Sequence, residues 1–146
     1  MSIIKISVIT ITYNAENVIM RTLDSVLKQT FSNIEHIIID GASKDSTLFA
    51  EKEYESRSCS TNNGHEIKII SEPDKGLYDA MNKGIGKATG NYLVFLNAGD
   101  VFPSSSTLET VADMIGDGEE LPGVLFGDTD IVDDNGNFLR HRRLSP

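Results

Sequence analysis

Two kinds of hydrophobic spacing alternate along this chain. Residues 4–12 (I-K-I-S-V-I-T-I-T) are short and β-branched, which predicts a strand. Val18, Ile19, Leu23, Val26 and Leu27 then recur at helical spacing, with Asn14 placed to cap that helix. Phe31-Ser32-Asn33 breaks the pattern. Residues 34–40 predict a second strand, buried on both faces, and Gly41-Ala42-Ser43 a turn. A helix is expected from Asp45 to about Tyr54, followed by a polar surface loop over 56–64. A strand over 66–71, a helix over 77–87, a strand over 91–96 and a helix over 107–115 come next. Val124-Leu125-Phe126 reads as a fifth strand, and residues 131–139, with Asp134-Asn135-Gly136 between the arms, as a hairpin.

Strands that alternate with helices predict an α/β fold: a mostly parallel sheet with helices on both faces and a C-terminal hairpin. No internal repeat or low-complexity segment interrupts the order. In such sheets ligands sit at the carboxyl ends of the strands. Those ends read Thr12-Tyr13-Asn14, Asp40 through Asp45, Ser71 through Gly76, and Asn97-Ala98-Gly99-Asp100. Helix capping explains part of this polarity. It does not explain Asp74-Lys75-Gly76 running on into Tyr78-Asp79-Ala80-Met81-Asn82, which is more polar than a cap requires. The candidate ligand-binding residues are therefore Thr12, Tyr13, Asn14, Asp40, Asp74, Lys75, Asp79, Asn82, Asn97 and Asp100.

Composition narrows the ligand. The 146 residues suit one domain with a core, and 39% hydrophobic with 24% charged residues is ordinary for a globular chain. The net charge of −9 argues against a nucleic-acid surface, which needs a basic stripe. It leaves room for an anionic small ligand bridged by a divalent cation. The basic cluster Arg140-His141-Arg142-Arg143 reads as a solvated strand end. No apolar run approaches the roughly 18 residues of a membrane span, and the N-terminus enters a strand pattern directly rather than a signal peptide. The lone Cys59 fits a thiol in a reducing cytosol. His36, His65 and His141 are scattered and read as surface or filler residues. Gly84-Ile85-Gly86-Lys87-Ala88-Thr89-Gly90 imitates a dinucleotide fingerprint, but it closes a helix and precedes a strand. Gly84 and Gly90 are read as helix-end and turn glycines.

Four blocks together resemble family 2 glycosyltransferases of the bacterial polysaccharide-building type. They are residues 7–14 (S-V-I-T-I-T-Y-N), residues 38–47 (I-I-D-G-A-S-K-D-S-T), residues 71–85 (S-E-P-D-K-G-L-Y-D-A-M-N-K-G-I) and residues 91–100, which end N-A-G-D. They occur in the family's order and cover most of residues 3–103. The resemblance implies the GT-A fold, in which a Rossmann-like half binds the nucleotide. It also implies metal-dependent, inverting transfer of a sugar from a nucleotide-diphosphate donor, by family habit a UDP-sugar, to a hydroxyl acceptor. That acceptor would be a saccharide or a lipid-linked saccharide in cell-surface polysaccharide synthesis. Tyr13 and its strand-end neighbours would line the base, Asp40 would touch base or ribose, and Asp100 would be the direct ligand of magnesium or manganese. A cytoplasmic location follows, peripheral at the inner face of the membrane.

Two positions depart from the family pattern. Gly99 stands where the common form has an acid, so Asn97 is left to offer an amide oxygen and the metal site is thinner. Asp40 is followed by Gly41, where many members have a second acid. The general base that inverting members need is expected beyond Pro146, so the chain reads as one nucleotide-sugar-binding domain cut before the acceptor-binding half. Asp128 and Asp130 are not assigned that role, and Asp133-Asp134-Asn135-Gly136 reads as a turn. Two other readings stand beside transfer. One is a nucleotide-sugar-binding domain or inactive fragment without turnover. The other is a nucleotidyltransferase, which would want a basic, glycine-rich loop where Thr12-Tyr13-Asn14-Ala15-Glu16 stands.

Overall fold

The computed structural model describes residues 4–118, 120–125 and 127–143. They form β1 (Ile6–Thr12), α1 (Ile19–Leu27), β2 (Ile34–Asp40), α2 (Thr47–Thr61), β3 (Glu66–Ser71), α3 (Leu77–Lys87), β4 (Tyr92–Phe95), α4 (Thr107–Ile115), β5 (Thr129–Val132) and β6 (Phe138–Arg142). The chain divides into two compact units, residues 1–114 and 115–146.

In the first unit four strands lie in the order β3-β2-β1-β4, and every pairing is parallel. β1 is central, which accounts for its near-continuous Val/Ile run: both of its faces are covered. Ile9, Ile37 and Ile39 pack with Ala80 of α3 on one face. Ile38 packs with Ile19 and Leu23 of α1 and Tyr54 of α2 on the other. The register places Thr12 opposite Asp40 and Asp40 opposite Ser71, so three strands finish in one polar row.

Two buried polar clusters lie between these layers. On the α3 face, Glu35 accepts hydrogen bonds from the Ser7 hydroxyl (2.5 Å), the Lys68 ammonium (2.5 Å), and both the amide and hydroxyl of Thr89 (2.8 and 2.9 Å). Burial alone would raise its carboxyl. The donors from Lys68, Ser7 and Thr89 outweigh burial and hold it at about 2. On the other face His36 is buried between the Thr10 hydroxyl (2.8 Å) and the Tyr54 hydroxyl (2.7 Å), and burial holds it uncharged down to about 3. Of the two readings, surface or filler, His36 thus takes the second, as a core residue.

Several expectations need correction. α2 continues through the Ser- and Asn-containing stretch to Thr61, because its buried positions Thr47, Glu51, Tyr54 and Ser58 keep helical spacing with mostly polar side chains. Gly84 is inside α3 and not at its end. A Cβ there would lie 2.5 Å from Ile9 Cγ2, so the glycine lets the helix press onto β1. Asn14 does not cap α1, whose N-cap is Val18. It takes a left-handed conformation (φ 47°) and its side chain binds the next loop. Val124 and Leu125 are irregular, so no fifth parallel strand forms there, and Phe126 lies outside the described residues.

In the second unit β5 and β6 form the expected antiparallel hairpin, displaced slightly from 131–139. Its turn is organised by Asp133, which accepts from the amides of Asn135 and Asn137. His141 pairs with Asp130 across the strands. None of the described helices is long and apolar enough to cross a membrane.

Candidate functional site

The loops after β1 and β2 are bound to one another by reciprocal hydrogen bonds. Asn14 N–H donates to the Ser43 hydroxyl (2.9 Å) and Asn14 Oδ1 accepts from Lys44 N–H (2.8 Å). Ala15 N–H donates to Thr47 Oγ1 (2.8 Å), and Glu16 and Asp45 exchange contacts with each other's loop. Asp40 is fully buried at the root of this assembly. Its carboxylate accepts from Ser43 N–H (2.9 Å), the Ser43 hydroxyl (2.5 Å) and the Ser71 hydroxyl (2.7 Å), tying β2 to β3 and to its own turn. Gly41 N–H donates to Thr12 O (3.0 Å) and closes the row against β1.

Above this row an open cavity of about 380 Å³ is lined by Thr12, Tyr13, Asp74 and Asn97 from the expected set, with Ile11, Ala15, Gly76, Leu77 and Ala98 completing the wall. Tyr13 is 58% exposed at its mouth. Asp74 Oδ1 accepts from Gly76 N–H (3.1 Å), which turns the chain into α3. Asp79 accepts from Lys75 N–H (2.8 Å) and lies 3.8 Å from Lys83 Nζ, so it organises the start of α3. Lys75 and Asn82 are exposed, and neither they nor Asn14, Asp40, Asp79 and Asp100 belong to the cavity wall.

Two oxygens in the wall residues are buried and lack a hydrogen-bond partner among the described residues: Thr12 Oγ1 and Asn97 Oδ1. A buried oxygen without a donor costs roughly 1–3 kcal/mol, which a ligand donor or cation would recover. Asn97 and Asp100 belong to one turn, closed by Asp100 N–H to Asn97 O at 2.9 Å. Partial burial without an opposing charge raises the Asp100 carboxyl above its ordinary value. Among the described residues no three His, Cys, Asp or Glu side chains converge as a self-sufficient metal cage. An orphaned amide oxygen and one carboxylate carried by a single turn are the donor types of a hard cation that takes its other ligands from water and phosphate.

The structural reason for the thin acidic motif lies at Gly99. Its φ is +101°, a conformation that side chains with a Cβ rarely adopt, and its N–H donates to Thr22 Oγ1 (2.8 Å). Gly41 was not among the expected site residues, yet a Cβ on it would approach Asp74 Oδ2 to 2.8 Å and Tyr13 Cδ2 to 3.4 Å. Its position directly after a strand-end aspartate was the available signal.

Comparison with known proteins agrees with this geometry. Residues 7–144 match the model of the family described as glycosyl transferase family 2. The chain is 37% identical over 122 residues to the PGL/p-HBAD biosynthesis glycosyltransferase of Mycobacterium tuberculosis, covering 84% of this chain and 45% of that protein. It is 34% identical over 96 residues to glycosyltransferase GlyA of Streptococcus pneumoniae, covering 66% of this chain and 13% of that one. The chain thus spans less than half the length of these relatives. Among solved structures, S. aureus TarS 1-349 in complex with UDP-GlcNAc superposes with a TM-score of 0.64 at 28% identity, over 76% of this chain and 31% of that one. The mannosyltransferase PcManGT of Pyrobaculum calidifontis, in complex with GDP-Man and Mn2+, gives 0.66 at 26% identity, over 89% and 36%. The parallel sheet, the strand-end cavity and these likenesses together place the chain in glycosyl transferase family 2, with the GT-A fold.

Proposed function

We propose that this chain binds the nucleotide-diphosphate sugar of an inverting, metal-dependent glycosyltransferase. The observation that carries the reading is the pair of unpartnered buried oxygens, Thr12 Oγ1 and Asn97 Oδ1, at the strand ends around the cavity. Tyr13, exposed at the mouth, offers a flat face to the base. Asp40 acts through the turn it holds, keeping Gly41 and Ser43 in place beneath the donor. Asp74 lies against Gly41 in the wall, where its carboxylate accepts from a donor N–H or O–H. Lys75, Asp79 and Asn82 border the site at the start of α3.

Asp100 and Asn97 would hold magnesium or manganese through one carboxylate and one amide oxygen. The bound cation supplies neutralisation of the charge that grows on the leaving diphosphate. In the transfer itself the acceptor hydroxyl oxygen bonds to the anomeric carbon as the bond from that carbon to the diphosphate oxygen breaks. The bonding pair leaves with the diphosphate, and the hydroxyl proton goes to a general base that we do not assign among the described residues. The solved relatives holding UDP-GlcNAc and GDP-Man support this class of donor. The acceptor we propose is a saccharide or lipid-linked saccharide of a cell-surface polymer, reached from the cytoplasmic side of the membrane.

Calorimetry with UDP, with and without Mn2+, tests the reading. The chain is expected to bind UDP at least tenfold tighter with the metal, and Asp100→Ala to remove that increment. Metal-independent binding, or an Asp100→Ala chain that behaves like the parent, defeats it. Turnover with UDP-hexoses then separates transfer from binding alone.

A further inference from the structure

Glu51 lies in the second turn of α2, fully buried, and both of its carboxyl oxygens lack a hydrogen-bond partner among the described residues. A buried carboxyl is ordinarily paired or hydrogen-bonded. Glu51 faces the same layer as Tyr54, its neighbour at helical spacing, and Tyr54 packs on Ile38 of β2. The strand alternation that turns His36 and Ile38 toward this layer turns Asp40 toward it as well.

Among the described residues no counter-charge acts on Glu51. Asp40 at the end of β2 and Asp45 before α2 are like charges acting on it. From β2 also comes His36, which burial keeps uncharged. Asp24 of α1 and Arg57 of α2, which act on the neighbouring Tyr54, are paired with each other at 2.9 Å. β1 contributes the Thr10 hydroxyl, bonded to His36. β3 contributes Ile67 and Ile69. A carboxylate here would be desolvated and repelled by the very residue that holds the donor turn.

We propose that Glu51 is a positioning residue for the donor site: uncharged, it lets the Asp40 turn close, and charged, it drives that turn apart. Burial, with Asp40 and Asp45 beside it, pushes the Glu51 carboxyl up to about 8. The turn is therefore closed at neutral pH and loosens as pH rises through that value. Loss of the proton weakens the seat of Ser43 on Asp40, and with it the links from Ser43 and Lys44 to Asn14. The consequence for nucleotide affinity rests on the donor reading above; the behaviour of the turn does not.

The test compares the parent chain with Glu51→Gln, which keeps the shape and cannot ionise. Carboxyl-carbon NMR of the parent should show a glutamate titrating near pH 8 that is missing from the variant. The Ser43 amide resonance, whose N–H binds Asp40, should follow the same titration in the parent and stay flat in the variant. With Mg2+ present, the UDP dissociation constant of the parent should rise at least fivefold from pH 7 to 9.5, beyond any change in the variant. A Glu51 carboxyl that titrates below pH 5.5 overturns the proposal, and needs only the parent chain. So does a Ser43 amide that behaves alike in both chains, or UDP affinity profiles that run parallel. Absence of UDP binding alongside a Glu51-dependent Ser43 titration leaves the turn mechanism standing and counts against the donor reading alone.

Discussion

Gly41 leaves no room for a methyl group beside Asp74: a Cβ at that position would sit 2.8 Å from Asp74 Oδ2. The strand end and the start of α3 thus meet across a single hydrogen-sized gap. Gly41→Ala must push Asp74 outward, and Tyr13, at 3.4 Å, gives way with it. Because Asp74 is partly exposed, the fold should absorb the shift with less than about 1 kcal/mol lost. UDP affinity is expected to fall about tenfold, read by calorimetry against an unchanged thermal melt.

Gly84→Ala should act in the opposite way, on the fold rather than the site. Alanine inside a helix is ordinarily worth about 1 kcal/mol over glycine. Here the new Cβ would stand 2.5 Å from Ile9 Cγ2, a branched side chain at the centre of the sheet. Overpacking of that kind costs about 1–3 kcal/mol and outweighs the helix gain. Urea melts should show the net loss.

Glu35 predicts an acid-sensitive margin. Its carboxyl is held at about 2 in the fold against an ordinary 4.5. The unfolded chain therefore takes up this proton first as pH falls, and the stabilisation is present above pH 4.5 and lost between there and about 2. Glu35→Gln should be less stable than the parent by about 2–3 kcal/mol at pH 7, and the gap should narrow progressively below pH 4.5. Denaturant melts at pH 7, 4 and 2.5 check both statements.

Restoring an acid to the turn proposed to hold the metal should succeed at one position and fail at the other. Gly99→Asp forces a Cβ into φ +101° and is expected to cost about 1–3 kcal/mol, with no gain in metal-dependent UDP binding. Asn97→Asp keeps the backbone, replaces the unpartnered Oδ1 by a charged oxygen and should tighten Mn2+ severalfold. Manganese titration followed by proton relaxation distinguishes the two.

The parallel sheet was readable because β1 through β3 carry β-branched runs, β4 is continuously apolar or aromatic, and α1, α3 and α4 carry apolar residues at helical spacing. The part of α2 beyond Tyr54 was not, because the residue it buries there is Ser58. A polar residue reports nothing of its burial until its neighbours are known, which is why the sequence left His36 open between surface and filler and the structure makes it a core residue. Within the site, Thr12, Tyr13, Asp74 and Asn97 were legible as polar strand ends, whereas Gly41 in the site and Gly84 in the core act through the absence of an atom. Val124 and Leu125 show the converse failure, since apolar character without a partner strand does not make a strand.

The order β3-β2-β1-β4 also sets a timetable for folding. β1 is made first, but its second neighbour begins at Tyr92, opposite Ile6. At a synthesis rate of roughly 5–20 residues per second, several seconds pass before that edge can be covered. Through that interval the Ile- and Val-rich β1 presents an unpaired edge. A ribosome pause between β3 and β4 should therefore raise the yield of aggregate without changing the stability of the finished chain.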